Sequence, residues 1–302
     1  MYLVFDIGGT AIKYCYFDTN GKMFDKNEFL SMTLTSLNLF ISKLSEIYFK
    51  SNYQIDGIAL SCPGIINSKK GVIEEITAYP FLKGVNLKDL LSKACNWIKV
   101  TIENDAKCAG IAEIYAGNIK GHKDAIVVVL GTGIGGCVIK NRKIHHGNNL
   151  FAGEFSTIIV GYDKKSHRIL TWSDIASTSA LCKRVSNMLK IKEIDVREVF
   201  ELVKNNNQQV IEILNQQVIE ILDSFCLDIA IQLYNLQSMY DPEVICIGGG
   251  ISKQKILIEK IKKALKKVQV QSHQLLMPNV INCKYYNDAN LIGALYHHKI
   301  WK

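Results

Sequence analysis

Two glycine-rich stretches in this 302-residue chain carry the residue types that phosphate chemistry needs. The first, Asp6-Ile7-Gly8-Gly9-Thr10, sets a carboxylate at the end of an apolar run and follows it with a turn. Glycines there expose backbone N–H groups and let an anion approach closely. Asp6 beside such a turn is placed to hold Mg2+, usually through water, while Thr10 and Lys13 could reach terminal phosphate oxygens. The same residues also read as a hairpin turn with a turn-stabilising carboxylate. The second stretch, Gly131-Thr132-Gly133-Ile134-Gly135-Gly136, satisfies GxGxxG, and Glu154 lies about 18 residues further on. A dinucleotide loop must open a helix, whereas Cys137-Val138-Ile139-Lys140 is β-branched and leads into another turn. A dehydrogenase is therefore set aside, and the anion-cradling amides remain.

Asp105 follows a strand and precedes a helix, so it is either a helix N-cap or a general base accepting a proton from an attacking hydroxyl. Asn104 beside it could hydrogen-bond the same polyol. Glu154, in Ala152-Gly153-Glu154-Phe155, reads as an acceptor for sugar hydroxyls or as an ordinary loop carboxylate. Gly248-Gly249-Gly250 reads as room for an adenine and ribose, or as a tight strand–helix connection. No zinc site is expected: the nine cysteines include no CxxC pair, and His145-His146 and His297-His298 are adjacent, which is poor chelating geometry. Cysteines inside apolar runs, as in Val244-Ile245-Cys246-Ile247, read as small core residues of a reducing compartment.

These residues need strands and turns to hold them. Tyr2 to Ile7 and Ala11 to Phe17 read as strands about a glycine turn, and Leu37, Phe40, Ile41, Leu44, Ile47 and Tyr48 as one helix face. A strand at Ile55 to Leu60 runs into Pro63-Gly64, and a helix starts near Asn86. A further strand sets Ile98, Val100 and Ile102 on one face and Lys99, Thr101 and Glu103 on the other, then meets a helix that stops at Gly117. Strand, glycine turn and strand recur at Ala125 to Leu130, Gly131 to Gly136 and Cys137 to Ile144, about 120 residues later, which suggests a duplicated architecture with one unit per domain. Helices are expected from about Asp174 and from about Val196 to Ser238, then a strand Glu243 to Ile247, a helix capped by Ser252, and a last helix from Ala289 to Tyr296. Alternating strands and helices mean an α/β chain. The octapeptide Asn-Gln-Gln-Val-Ile-Glu-Ile-Leu occurs twice in tandem at 207–222; eight residues overshoot two helical turns by about 80°, so it reads as a lengthened helix and not as a heptad or solenoid repeat.

The net charge is +8, mostly spread lysines. Their densest patch, Lys260, Lys262, Lys263, Lys266 and Lys267, opposes the stripe Leu257, Ile261, Leu265 and Val268, the solvated face of an amphipathic helix. No nucleic-acid partner is expected; attraction for an anionic small molecule is the more useful consequence. The longest purely apolar run, Ala125 to Leu130, is far short of the ~20 residues of a membrane span, and Tyr2-Leu3-Val4-Phe5 opens a strand without a signal peptide. With 48% hydrophobic residues and 4 prolines, the chain reads as a globular, cytoplasmic protein with no membrane partner.

Taken in chain order, Asp6 to Lys13, Pro63-Gly64, Glu103-Asn104-Asp105-Ala106, Gly131 to Gly136, Gly153-Glu154-Phe155, Ile247 to Gly250 and Leu291-Ile292-Gly293-Ala294 resemble the ROK (repressor, open reading frame, kinase) family over essentially the whole chain. The resemblance implies a two-domain actin-like ATPase / hexokinase (ribonuclease H-like) fold. Residues 1–118 with 289–302 would form a sugar- and phosphate-binding domain, and 119–288 a nucleotide-binding domain. It implies an ATP-dependent sugar kinase of glucokinase type that phosphorylates a hexose or hexoside hydroxyl, the 6-OH. Phosphates would sit on Gly8, Gly9 and Thr10 with Lys13 and on Gly131, Thr132 and Gly133, adenosine near Gly249 and Gly250, and magnesium near Asp6. Asp105 maps onto the catalytic base, and Gly64, Asn104 and Glu154 onto sugar contacts; a homodimer is implied too.

The chain departs from the family where Glu-x-Gly-His is usual, having Glu154-Phe155-Ser156-Thr157 and no cysteine from Gly161 to Trp172. A zinc-free site is expected. A second sugar-binding Glu of the family aligns near Ser173 or Asp174, and Thr77-Ala78-Tyr79-Pro80-Phe81 lacks an Asn common in glucokinases. These changes look more like a zinc-less branch that includes β-glucoside kinases, and they leave an N-acetylmannosamine or β-glucoside kinase, or a sugar-binding sensor or regulator, as alternatives.

Overall fold

Strand β1 (Tyr2–Ile7) is covered on both faces, which is why it reads as a nearly unbroken apolar run. In this computed structural model, which describes residues 1–204 and 209–300, β1 turns into β2 (Ala11–Phe17) with Asp6 opposite Lys13. An antiparallel β3 (Met23–Leu30) follows, then α1 (Leu37–Phe49), whose N-cap Ser36 accepts the Leu39 N–H. Next come β4 (Gly57–Cys62), the small pair β5 (Ile65–Asn67) and β6 (Val72–Glu75), and α2 (Leu87–Ala94), capped by Asn86 as the sequence predicts. Strand β7 (Val100–Asn104) leads directly into α3 (Asp105–Ala116).

The second half places β8 (Ala125–Leu130) antiparallel to β9 (Ile134–Lys140), followed by the short β10 (Lys143–His145). A hairpin of β11 (Ile159–Asp163) and β12 (Arg168–Thr171) precedes helices α4 (Trp172–Ala176), α5 (Thr178–Leu189), α6 (Val196–Lys204) and α7 (Gln209–Tyr240). The chain ends with β13 (Val244–Gly248), α8 (Lys255–Ser272), β14 (Val280–Asn282) and α9 (Ala289–Ile300).

One packing unit comprises residues 1–120, 143–152 and 287–300, and the other Gly121–Arg142 and Gly153–Tyr286. In the first, the sheet order is β3-β2-β1-β4-β7, with β1, β4 and β7 parallel. Leu3, Phe5 and Ile7 join Phe40, Leu44, Leu87 and Leu91 on one face; Val4 and Ala59 meet Cys108, Leu291, Ala294 and Leu295 on the other. In the second unit β9-β8-β13-β14 are neighbours, and Ile126, Val128, Ile245 and Ile247 pack on the helices with Leu181, Leu222, Phe225, Leu257 and Ile261.

Several sequence expectations need correction. The glycine turn after β8 is shorter than the glycine run, because Gly135 and Gly136 pair with Val129 and Val128 inside β9; the Phe155 ring occupies the space a Cβ at Gly136 would need. Ser252 does not cap α8: its hydroxyl donates to Gly249 O at 2.7 Å within a 3-10 turn, Gly250–Lys253, and the N-cap of α8 is Gln254. The long helical region divides into α6 and α7, and the first tandem octapeptide begins outside the described residues; in the second copy Val218 and Leu222 are buried. The polar face of β7 is covered too, since Thr101 and Glu103 are buried. All nine cysteines are free, and all but Cys182 are buried. Among the described residues, no helix is long and apolar enough to cross a membrane.

Two features of the α9 packing generate predictions. A Cβ on Gly293 would lie 1.7 Å from the Cys108 carbonyl oxygen of α3, so Gly293→Ala must push the two helices apart. Overpacking of this kind costs ~1–3 kcal/mol, and a lowered denaturation midpoint of the purified variant checks it. His298 is buried with Nδ1 3.0 Å from Thr101 Oγ1, and burial pushes its pKa down to about 4. The unfolded chain takes up a proton below about 6.5 that the folded chain refuses until about 4, so stability falls as pH drops through that window. The loss approaches about 3 kcal/mol, and thermal melts from pH 7 to 4.5 should show a flatter profile for His298→Gln than for the native chain.

Candidate active site

Parallel strands deliver their C-terminal ends to one edge of a sheet, where open α/β folds bind ligands. In the first unit the register aligns Asp6 with Ser61 and Ser61 with Glu103, and Cys62 with Asn104. The Gly8–Thr10 turn, Pro63-Gly64 and Asn104-Asp105 therefore leave the sheet side by side. Asp6 is 8% exposed, and its Oδ1 accepts Ser61 Oγ at 2.9 Å and Asn290 Nδ2 at 3.1 Å. Burial raises its pKa, against the opposing pull of Ser61, Asn290 and Lys13. A buried carboxylate next to an exposed glycine turn fits a site for Mg2+ held through water.

The turn itself is anchored from behind. Tyr79 OH donates to Gly8 O at 2.5 Å and Ser31 Oγ to Gly9 O at 2.7 Å, while Gly9 and Thr10 are exposed. Tyr79 lies in the segment Thr77-Ala78-Tyr79-Pro80-Phe81, and its hydroxyl serves the turn.

Asn104, not Asp105, caps α3: its Oδ1 accepts the Lys107 N–H at 3.0 Å. Its amide nitrogen donates to Gly64 O at 2.9 Å and to Asp105 Oδ1 at 3.0 Å, which joins three predicted sugar-site residues by hydrogen bonds. Asp105 also accepts its neighbour Ala106 N–H at 2.8 Å and stays half-buried at the sheet edge. Beneath it, fully buried Glu103 accepts the Asn104 N–H on Oε1 and His146 Nε2 on Oε2, both at 2.8 Å. Burial pushes the Glu103 carboxyl up, but His146, His297 and the Asn104 N–H together bring it below the usual range.

In the second unit Gly248 pairs with Val129, so the turns after β8 and β13 emerge at the same edge. The Gly131 turn closes through Gly131 N–H to Gly133 O at 3.0 Å, and the first residue of α5 donates to it, Thr178 N–H to Gly131 O at 2.9 Å. A cavity of about 600 Å3 beside this turn is lined by Thr132, Thr178, Ser179, Cys182, Lys183 and Lys192 among others; Gly249 and Gly250 are not part of its wall. Glu154 opens the 3-10 turn Phe155–Thr157, whose Phe155 ring packs on Trp172. The Asp174 carboxylate is committed to the α4 capping box with Thr171, whereas Ser173 Oγ faces Gly133.

Sequence reasoning missed Ser61, Asn290, Ser31 and Tyr79, which act on Asp6 and the turn through side chains far apart in the chain. Their only signal is adjacency to motifs, Ser61 before Pro63-Gly64 and Asn290 before Leu291-Ile292-Gly293. Glu103 was visible as a motif letter, but nothing in the sequence names His146 as its partner.

The ROK family model matches residues 2–299. A β-glucoside kinase of Listeria monocytogenes is 28% identical over 97% of this chain and 95% of its own length. A glucokinase of Halalkalibacterium halodurans is 26% identical over 97% of this chain and 93% of its own. The crystal structure of a ROK family protein from Streptococcus pneumoniae in complex with sucrose is 32% identical, with a TM-score of 0.85 over 98% of this chain and 97% of that one. Strand order, motif positions and these matches agree across the whole length, and the chain belongs to the ROK family, with its actin-like ATPase and hexokinase fold.

Proposed function

We infer that this ATP-dependent carbohydrate kinase transfers the γ-phosphoryl group of Mg-ATP to the 6-OH of a hexose or hexoside, with Asp105 as the base. The observation that carries the assignment is the placement of the Asp105 carboxylate at the sheet edge, hydrogen-bonded to the Asn104 amide that also grips Gly64 O, with Asn104 as the N-cap of α3. Asp105 accepts the hydroxyl proton as that oxygen attacks phosphorus, and the bond to the bridging oxygen breaks to release ADP. Asn104 and Gly64, joined by a hydrogen bond, hold sugar hydroxyls, and Glu154 accepts from others. The Gly8–Thr10 and Gly131–Gly133 turns offer backbone amides to phosphates, with Thr10 and Lys13 on the terminal oxygens, and adenosine lies near Gly249-Gly250. Asp6 would hold Mg2+, which neutralises phosphate charge when bound.

A second reading narrows the acceptor to a β-glucoside. It is supported by the β-glucoside kinase relative and by the departures from the family pattern at Phe155-Ser156-Thr157 and at Ser173 or Asp174, where a histidine and a second Glu are usual. Losing polar contacts to the sugar relaxes the demand on its shape, which admits an acceptor that carries an aglycone.

ADP release from Mg-ATP against hexoses, N-acetylhexosamines and β-glucosides tests both readings. Sugar-dependent turnover is expected, and Asp105→Asn should lower kcat by roughly 10²–10⁴ while ATP binding and melting temperature hold. An unchanged kcat would remove Asp105 from the base role, and silence on every sugar with ATP still bound would point to a sensor.

A further inference from the structure

Glu103 is the one acid of β7, it is fully buried, and it is spent on two hydrogen bonds that run in sequence toward Asp105. An ionised carboxylate can only accept, so His146 must donate from Nε2 to Oε2. On the other oxygen Glu103 receives the N–H of Asn104, whose side chain caps α3, grips Gly64 O and donates to Asp105 Oδ1. A buried acid kept at this point is otherwise costly, because burial disfavours its charge and an apolar residue would fill the space without that penalty.

His146 is itself held. It sits in the 143–152 segment, which belongs to the same packing unit as β7, and Ala152 N–H closes the loop on His146 O at 3.1 Å. Lys107, one turn into α3 and fully buried, reaches Leu150 O of the same segment at 3.5 Å. The imidazole side chain is only 27% exposed, so the pair is shielded from solvent competition.

We propose that His146 is a positioning residue for the base: by donating to Glu103 it fixes the Glu103–Asn104 peptide and, through Asn104, the orientation of the Asp105 carboxylate. This rests on the kinase reading for its functional consequence, not for the linkage itself. Without the donor at position 146, Glu103 loses the hydrogen bond that fixes its Oε2, turns, and no longer holds the Asn104 N–H. Misplacement of a reacting group by about 1 Å costs up to ~100-fold in rate.

The test measures kcat and both KM values for His146→Ala, His146→Gln and Glu103→Gln, with the His146→Ala/Glu103→Gln double variant. His146→Ala should lower kcat ~10- to 100-fold with the KM for Mg-ATP within about twofold of native. Gln keeps an N–H donor and should recover much of the loss. The double variant should be no worse than the poorer single one, because both break one link. A kcat within about twofold of native in His146→Ala, a Gln variant as poor as Ala, or additive losses would each overturn the proposal. Hydrogen exchange at the Asn104 and Lys107 amides decides the linkage even if the native protein shows no sugar-dependent ADP release, a result that would sink the kinase reading alone. Faster exchange at those amides in His146→Ala supports the link, and unchanged exchange overturns it.

Discussion

The parallel register of β1, β4 and β7 is the constraint on which the first unit's chemistry depends. It is set by strands buried on both faces, so that a slip of one residue would turn Leu3, Phe5 and Ile7 onto the face built by Cys108, Leu291 and Leu295. With the register held, Asp6, Ser61 and Glu103 fall in one row, and the chain leaves each strand at the same edge. Two polar contacts there follow directly: Ser61 can reach Asp6, and Asn104 can reach Gly64, because neighbouring strands end together.

That row holds two buried acids whose environments move them in opposite directions. Asp6 has neutral donors on one oxygen and the Lys13 charge in the opposite strand, and burial wins, raising its pKa. Glu103 is more deeply buried, yet an imidazole and a backbone N–H hold it ionised. The difference tracks their partners: neutral hydroxyl and amide donors do not offset the burial of Asp6, whereas an imidazole and a backbone N–H offset that of Glu103.

Much of this was legible along the chain, and the reason is local. Glycine turns after apolar runs, Asn104-Asp105 at a strand–helix junction, and the 3.6-residue periodicity of α1 and α8 are written in consecutive residues. Edge strands were not: β3 shows mostly exposed residues without clean alternation, and β14 is three residues long. Which of Asn104 and Asp105 caps α3 also escaped the sequence, since both are good caps and only the backbone shows which one precedes the first helical residue. Partners such as Asn290 for Asp6, 284 positions away, depend on α9 returning to the sheet, which no local pattern encodes.

The neighbours Ser173 and Asp174 show how differently a fold can employ two adjacent residues. Asp174 is the more tempting replacement for a sugar-binding Glu by charge, but its carboxylate accepts both the Thr171 N–H and the Thr171 hydroxyl at 2.9 Å, closing the first turn of α4. Redirecting it toward a ligand would forfeit the capping box and leave the Thr171 N–H without its acceptor. Ser173 carries no such duty and faces the Gly133 turn, yet its hydroxyl is several ångströms shorter in reach than a Glu side chain. The two neighbours thus differ in what local structure asks of them: Asp174 closes a helix end, and Ser173 stands beside the Gly131–Gly133 turn.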